Sequence, residues 1–398
     1  MPTSRGSLVL VALVGATFIS LLLLAPSFFK TTYVSSSSND SQNPDSTPVF
    51  VVTHLDTPEP LKALYMTSCV AGTLLWRESL KKLIETTELN AIVIDIKDYT
   101  GEVSFLETSR CFVRDLREFI GELHDAQIYV IGRVSVFQDV YYTKLYPELA
   151  VKKKSDGEVW KDYKGLSFID VGATPYWDYI VKISEEAYAL GFDELNYDYV
   201  RYPSDGNMQD VSYTWTPYQE QNSGTGQAST TQSSRLMTKA EVLESFFKYL
   251  HDKLKDTGTK LSVDLFGMTT TVNVDMNIGQ ILERALPYFD YVAPMVYPSH
   301  YPQTWNGFKN PAEYPYEVVK ISMTKAVERE EFWRIANNLA TSTPSKLRPW
   351  LQDFHLGATY GPDKVRAQIQ ATYDVGLTSW MIWNAGNKYT EAALNKEP

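Results

Sequence analysis

From residue 60 to the C-terminus, apolar runs rich in β-branched and aromatic residues alternate with amphipathic stretches. This alternation is typical of repeated βα units, because parallel neighbouring strands must be joined by crossover connections, usually helices. The runs predict eight strands, which are Lys62–Ser68, Ala91–Asp98, Ile128–Phe137, Glu194–Pro203, Lys260–Met268, Tyr291–Tyr297, Arg348–Phe354 and Ser379–Asn384. The chain is therefore expected to fold in the α/β class.

The amphipathic stretches carry the sequence signals of helices. Five of them are Trp76–Glu88, Asp115–Gln127, Tyr176–Leu190, Thr238–Lys255 and Asp363–Val375. Glycine follows the third and the fifth as a C-terminal cap, and Thr238 with Glu241 forms a capping box that opens the fourth. Eight strands with intervening helices predict a TIM (β/α)8 barrel. A doubly wound open sheet is the alternative, and the lack of a glycine-rich phosphate loop after the first strand argues against it.

Two insertions interrupt the alternation. Residues 138–175 follow the third strand and contain the turn signal Lys154–Glu158 between two short β-rich segments, which predicts a small hairpin. Residues 204–237 follow the fourth strand and include the Gln/Ser/Thr/Gly tract Gln219–Ser234, which is typical of a mobile loop. Both extend from the C-terminal ends of strands, where barrel proteins build their active sites.

The N-terminal region predicts a membrane tether. Leu8–Phe29 is apolar almost throughout and long enough to span a bilayer. Its small residues lie inside the run rather than at a cleavage site, so residues 1–30 are interpreted as a signal anchor in preference to a cleaved signal peptide. Residues 31–59 form a Ser-rich stem, predicted to be disordered, with a glycosylation sequon at Asn39. We therefore expect a single-pass membrane protein with its globular domain, residues 60–398, in the lumen or outside the cell, or a secreted protein.

Charge and cysteine content narrow the possible partners. The net charge of -11 and the sequence pI near 5.1 argue against nucleic acid. The five histidines show no metal-ligand spacing, and no nucleotide-binding loop is present, so we expect no metal and no cofactor. The only cysteines are Cys69 and Cys111, which either pair in an oxidising compartment or remain buried thiols.

Charged side chains interrupt the apolar strands and need a physical reason, because an unpaired charge in a barrel costs several kcal/mol. Alternation places Asp95 and Lys97 on one face of the second strand and Arg133 on a face of the third. If both faces point inward, Asp95 and Arg133 are neighbours. They then form an ion pair that sets the barrel register, or they contact a substrate.

Three carboxylates are predicted at the C-terminal rim. Asp198 lies near the end of the fourth strand, Asp264 at the matching height on the fifth, and Asp353 on the seventh. Cleavage of a glycosidic bond needs one carboxyl group to protonate the leaving oxygen and another to attack the anomeric carbon or to activate water. The alternative role of such carboxylates is to cap neighbouring helices. Further rim side chains are candidates for substrate contact, namely Asp95, Lys97, Arg133, Asn196, Arg201, Tyr297, His300, Trp350, Gln352, Trp383 and Asn384.

Six segments of the chain resemble, in order and spacing, the putative glycosyl hydrolase domain family. They are AIVIDIKDYTGEVSF, YVIGRVSVFQD, FDELNYDYVRYPSDG, SVDLFGM, APMVYPSHY and RPWLQDF, and the resemblance runs from about residue 62 to residue 389. The family is distantly similar to the α-amylase clan. The resemblance implies a TIM barrel and hydrolysis of glycosidic bonds.

The same resemblance implies roles for the three carboxylates. Amylase-type enzymes carry a nucleophilic Asp after the fourth strand, an acid Glu after the fifth and a stabilising Asp after the seventh. The corresponding residues here are Asp198, Asp264 and Asp353. The fifth-strand residue is thus an aspartate with a shorter reach, and Glu194, at the buried start of its strand, is poorly placed to replace it.

The leading hypothesis is a glycoside hydrolase that acts on a polysaccharide or glycan without a cofactor. The alternative is a noncatalytic glycan-binding barrel, in which the three aspartates bind sugar hydroxyls. A membrane-held scaffold is a third possibility, and it leaves the converging carboxylates unexplained.

Overall fold

The computed structural model describes residues 52–216, 236–340 and 345–396. The predicted signal anchor, most of the stem and the tract Gln219–Ser234 lie outside these residues, so those interpretations stay predictions. Across the described ranges, no helix combines the length and the apolar character needed to cross a bilayer.

Eight parallel strands close into a barrel in sequence order, and the first pairs with the last. They are β1 (Lys62–Met66), β2 (Ala91–Lys97), β3 (Tyr129–Ser135), β4 (Glu194–Asp198), β5 (Lys260–Phe266), β6 (Tyr291–Met295), β7 (Trp350–Gln352) and β8 (Trp380–Trp383). Each lies within one of the eight predicted runs. The TIM-barrel prediction is confirmed, and closure excludes the open doubly wound sheet.

The crossover helices follow the strands. They are α1 (Leu74–Glu85), α2 (Leu116–Asp125), α3 (Thr174–Leu190), α4 (Lys239–Leu254), α5 (Leu282–Ala285), α6 (Pro315–Ala336) and α7 (Pro362–Asp374), and the short turn Glu391–Ala393 follows β8. The capping box at α4 is present, with Thr238 and Glu241 bonded reciprocally. The sequence patterns did not identify α5, which is a single turn, or α6. The second half of α6 exposes Phe332 and Ile335, so its apolar residues do not form one buried stripe.

Burial on both faces explains why the strands are so apolar. The main core lies between the strands and the helices, and a smaller apolar cluster fills the barrel interior. Toward the N-terminal end of the barrel, Arg348 donates to Glu194 at 2.5 Å, and its guanidinium stacks on Tyr291 at 3.6 Å from the ring centroid. Glu194 lies at the buried start of β4, as predicted, and there it forms an ion pair that the sequence patterns did not identify.

The two insertions pack together on the C-terminal side of the barrel. In the first, Lys152 pairs antiparallel with Val159, which confirms the predicted hairpin. The segment Lys152–Lys153 also pairs with Val211–Ser212 of the second insertion. Trp160 is buried between them with Phe168 and Val211. The insertions therefore form one unit with its own small core.

A disulfide joins Cys69 and Cys111, whose Cα atoms are 4.5 Å apart. Cys69 lies in the short helix Ser68–Ala71 after β1, and Cys111 lies in the loop after β2. The bond therefore ties the first two loops of the C-terminal rim. The structure decides the question that the sequence left open, in favour of pairing.

We expect the double substitution Cys69→Ser and Cys111→Ser to lower the free energy of unfolding by about 2–4 kcal/mol, because the bond closes a loop with a sequence separation of 42 residues. Urea unfolding with and without reductant measures this. The wild type should lose stability on reduction and the double variant should not respond. Equal unfolding midpoints for the oxidised wild type and the variant would contradict the expectation.

Candidate functional site

A cavity of about 350 Å³ opens at the C-terminal end of the barrel. Its walls come from the ends of β3, β4, β5, β6 and β8 and from the loops that follow β4, β5 and β6. Seven of the predicted site residues line it, namely Arg133, Asp198, Arg201, Asp264, Tyr297, His300 and Trp383. Three more, Asp95, Asn196 and Trp350, lie behind the wall and hydrogen-bond to lining residues.

Arg133 connects three consecutive strands at the floor of the cavity. From β3, its Nη1 donates to Asp95 on β2 at 2.7 Å, and its Nη2 donates to Asp198 on β4 at 2.5 Å. Burial alone would lower the pKa of Arg133, but the charges of Asp198 and Asp95 outweigh burial and raise it. Tyr65 donates to the second oxygen of Asp95 at 2.5 Å. The predicted contact between Asp95 and Arg133 is therefore present, and it is part of a larger network.

Both oxygens of the Asp198 carboxylate accept hydrogen bonds. Oδ2 accepts from Nε and Nη2 of Arg133, and Oδ1 accepts from the backbone N–H of Tyr199 at 2.5 Å. Tyr199 has a φ of 53°, in the left-handed region that L-residues rarely adopt, and this turn brings its N–H onto the preceding side chain. These donors fix the position of the Asp198 carboxylate in the cavity wall.

Asp264 is held in a different way. Its Oδ1 accepts from Nδ2 of Asn196 at 2.9 Å and from Nε1 of Trp350 at 2.8 Å. Burial raises the pKa of Asp264 well above its ordinary value, and the nearby charge of Asp198 raises it further. Because both partners of Oδ1 can only donate, a protonated Asp264 would carry its proton on Oδ2, which makes no hydrogen bond with the described residues.

Asp198 and Asp264 are neighbours. The registered pairs between β4 and β5 end with Tyr197 opposite Val263, so the next position on each strand carries one of the two aspartates. The two carboxyl groups face one cavity, one beside a guanidinium and the other among uncharged groups. A guanidinium binds Asp198, whereas burial and the charge of Asp198 raise the pKa of Asp264, and a similar asymmetry occurs in sites where one carboxyl group acts as an acid and the other as a base or nucleophile.

The rest of the wall mixes aromatic and polar groups. Trp383 stacks on Tyr65 with ring centroids 3.8 Å apart and lies 4.9 Å from the guanidinium of Arg133. Tyr297 and His300 face the cavity from the loop after β6, and burial lowers the pKa of His300. In the described part of the chain, no group of three His, Cys, Asp or Glu side chains is placed to hold a metal ion.

Lys97 does not reach the cavity, although alternation placed it beside Asp95. The register between β2 and β3 shifts after Asp95. Lys97 therefore pairs with Val134, whereas a regular register would pair it with Ser135. This β-bulge turns the side chain out of the barrel. The fully buried Lys97 binds Asp139 at 2.8 Å and stabilises the insertion instead.

Asp353, Gln352 and Asn384 also lie away from the cavity lining. Both oxygens of Asp353 accept from Thr390, from its N–H at 2.7 Å and its hydroxyl at 2.6 Å. Gln352 accepts from the N–H of Ser299, and Asn384 donates to the carbonyl of Asp353. These three side chains hold the loops after β6, β7 and β8 together, and the structure does not bring Asp353 to the other two aspartates.

Several residues of the site were not identified from the sequence. Tyr65 supports Asp95, Tyr199 caps Asp198, and Phe266 and Tyr301 line the cavity. One sequence feature could have pointed to this part of the site, namely Gly267, which directly follows β5 and lines the cavity. A Cβ atom there would lie 2.5 Å from the carbonyl oxygen of Met295, so only glycine fits between the strand end and its neighbour.

The raised pKa of Asp264 links stability to pH. The folded state retains a proton that the unfolded chain releases above about pH 4, so stability falls as pH rises from there through the folded pKa. Asp264→Asn keeps the acceptor oxygen and replaces the acid by a neutral amide, so we expect it to remove this fall. Urea unfolding of both proteins from pH 4 to pH 9 checks the expectation. Parallel stability curves for the two proteins would show that the carboxyl ionises normally.

Solved structures share this fold. The glycoside hydrolase domain of PgaB (BpsB) from Bordetella bronchiseptica is 12% identical, with a TM-score of 0.56 over 82% of this chain and 95% of that chain. Alpha-L-fucosidase isoenzyme 2 from Paenibacillus thiaminolyticus is 11% identical, with a TM-score of 0.53 over 84% of this chain and 48% of that chain. At these identities the similarities establish the barrel fold alone. No curated protein matches the chain.

A family described as "Putative glycosyl hydrolase domain" matches residues 63–389. The matched range contains all of the barrel strands except the first residue of β1, and every residue that lines the cavity. The more distant relationship to the α-amylase clan stays a prediction. The chain belongs to the putative glycosyl hydrolase domain family.

Proposed function

We propose that the protein is a glycoside hydrolase in which Asp264 is the general acid and Asp198 is the nucleophile. The observation that carries the proposal is the pair of neighbouring aspartates that face one cavity in opposite environments. A site that only binds sugar hydroxyls has no need of a carboxyl group with a strongly raised pKa. Cleavage of a glycosidic bond needs such a group next to an ionised one.

The hydrogen bonds indicate how each group acts. Asp264 protonates the departing glycosidic oxygen from Oδ2, the oxygen that is free of partners. Asp198 attacks the anomeric carbon through Oδ1, which accepts one hydrogen bond, from the N–H of Tyr199, whereas Oδ2 accepts two from the charged guanidinium of Arg133. The ionised Asp264 then accepts a proton from water as that water releases the sugar from Asp198. Both carboxyl groups return to their starting states.

The spacing of the strands favours retention of the anomeric configuration. Adjacent strands in a sheet lie about 4.8 Å apart, and Asp198 and Asp264 occupy opposite positions on β4 and β5. Retaining enzymes hold their carboxyl groups about 5–5.5 Å apart, whereas inverting enzymes separate them by about 6.5–9.5 Å to leave room for water. The register of β4 and β5 therefore favours the shorter separation of the two carboxyl groups, the one found in retaining enzymes.

A carbohydrate substrate agrees with the walls of the cavity. Trp383 and Tyr297 offer aromatic surface to the apolar face of a sugar ring. The lowered pKa of His300 keeps its imidazole uncharged, which suits hydrogen bonding to a hydroxyl group. A volume of about 350 Å³ falls in the range of small-molecule sites.

We also propose that the barrel works in the lumen or outside the cell, as the N-terminal sequence predicts. The disulfide between Cys69 and Cys111 supports this placement, because such bonds persist in oxidising compartments. The membrane tether rests on the sequence of residues 1–30 alone.

Asp198→Asn and Asp264→Asn should each lower turnover of a hydrolysed glycan by about a thousandfold or more, because each removes a group used in the chemical step. Asp193→Asn is the matched control. Asp193 is also buried, but it lies just before the N-terminal end of β4, where it accepts hydrogen bonds from the N–H groups of Leu55 and Val130. It should cost stability and spare turnover. In Asp198→Asn, Asp95 still pairs with Arg133, so the loss of stability should stay below the roughly 3–5 kcal/mol of an unpaired buried charge.

Release of reducing ends from a glycan panel, measured beside melting temperature, tests these variants. Normal turnover by a folded Asp198→Asn or Asp264→Asn would remove that residue from the mechanism. Glycan binding by the wild type without any release would favour the noncatalytic glycan-binding barrel.

The stereochemistry provides a separate test. We expect the first product formed from an anomerically pure substrate to keep the configuration of the bond that was cut. Proton NMR within the first minutes of reaction distinguishes the two anomers before they interconvert. An initial product of inverted configuration would show that Asp198 activates water instead of attacking the sugar.

A further inference from the structure

Arg201 is a second cation in the cavity wall, three residues beyond the end of β4. Its half-buried guanidinium lies among aromatic rings, 5.0 Å from the centroid of Phe266, 5.5 Å from Tyr199 and 5.7 Å from Phe168. The rings exclude water from its faces. The groups that Arg201 can contact therefore lie at its edges.

One edge of the guanidinium is used. Nη1 donates to the carbonyl of Tyr202 at 3.0 Å and to the hydroxyl of Ser204 at 3.2 Å. Nε and Nη2 donate to no partner within the described ranges, and no carboxylate there lies within ion-pair distance of Arg201. Both nitrogens retain some accessible surface, so the free edge is open to a ligand.

Arg133 shows what a neutralised guanidinium looks like in the same cavity. Its Nε, Nη1 and Nη2 are all engaged by Asp95 and Asp198. Burial lowers the pKa of Arg201, and the opposing charges of Asp198, Asp162 and Asp205 act from beyond contact distance. The cation of Arg201 therefore gains more from an incoming anion than Arg133 does.

We propose that the free edge of Arg201 binds an anionic oxygen group on the sugar that occupies the cavity, so that the substrate is an acidic glycan. The Nε and Nη2 edge presents two parallel N–H donors, which match two oxygens of a carboxylate or a sulfate ester. A neutral hydroxyl would leave the half-buried charge of Arg201 without a counter-charge in contact. This inference rests on the proposed function for the identity of the site, and it adds the class of substrate.

The test compares acidic sugars with their neutral counterparts. Dissociation constants for the full-length protein are measured by NMR titration with glucuronate, galacturonate and glucose 6-sulfate and with glucose and galactose. We expect at least one acidic sugar to bind about tenfold or more tightly than its neutral counterpart, because charge-assisted hydrogen bonds are stronger than neutral ones. The arm that shows the preference identifies the anion as a carboxylate or a sulfate.

Substitutions locate the preference. Arg201→Gln should abolish it, whereas Arg201→Lys should keep part of it, because lysine retains the charge without the two-pronged edge. Arg284→Gln is the control, since Arg284 is also half-buried but is paired with Glu244 on the outer surface of the barrel. It should leave the preference unchanged. Melting temperatures confirm that each variant is folded.

Three results would overturn the inference, namely equal binding of acidic and neutral sugars by the wild type, a preference that survives Arg201→Gln, or no binding of any acidic sugar. The proposed function fails separately. Asp264→Asn removes an acid from the mechanism but leaves Arg201 in place, so it should abolish cleavage and keep the preference for acidic sugars. A protein that prefers acidic sugars and cleaves no glycan would retain the inference about Arg201 as a binding property and lose the hydrolase.

Discussion

The C-terminal end of the barrel depends on the ion pairs that the buried guanidinium of Arg133 forms. A charge at this depth is strongly destabilising unless it is paired, and Arg133 is paired on both sides, with Asp95 and with Asp198. These partners lie on β2 and β4, so the network ties three consecutive strands. It connects the stability of the barrel to the geometry of the site, because the same contact that neutralises Arg133 also holds the carboxylate of Asp198 in the cavity wall.

The state of Asp264 follows from that arrangement. Arg133 already serves two carboxylates, and Asp264 receives only the uncharged donors Asn196 and Trp350. Burial and the neighbouring anion therefore favour its protonated form. In the proposed mechanism, the placement of one cation thus gives different roles to two aspartates at equal heights on adjacent strands. The amide of Asn196 and the indole of Trp350 add to this difference, because they donate to Oδ1 and leave only Oδ2 to carry a proton.

The two arginines of the cavity differ in how far the protein itself engages them. Arg133 uses its guanidinium nitrogens within the protein, whereas Arg201 keeps one edge free between aromatic rings. Phe168, which covers one face of Arg201, belongs to the insertion after β3 and packs with Trp160 and Val211. The insertions are thus connected through Phe168 to the part of the cavity wall that Arg201 forms.

The sequence by itself determined the barrel, its eight strands, most of its helices and the position of Asp198 and Asp264 at the rim. These features follow from local rules, since period-two alternation, capping residues and the closing glycines act within a few positions of the chain. Only the tertiary structure decided the rest. A bulge in β2 turned Lys97 away, Thr390 engaged Asp353, and the left-handed turn at Tyr199 brought an N–H to Asp198. The raised pKa of Asp264, the disulfide and the free edge of Arg201 likewise depend on groups distant in sequence, whose contacts no local pattern contains.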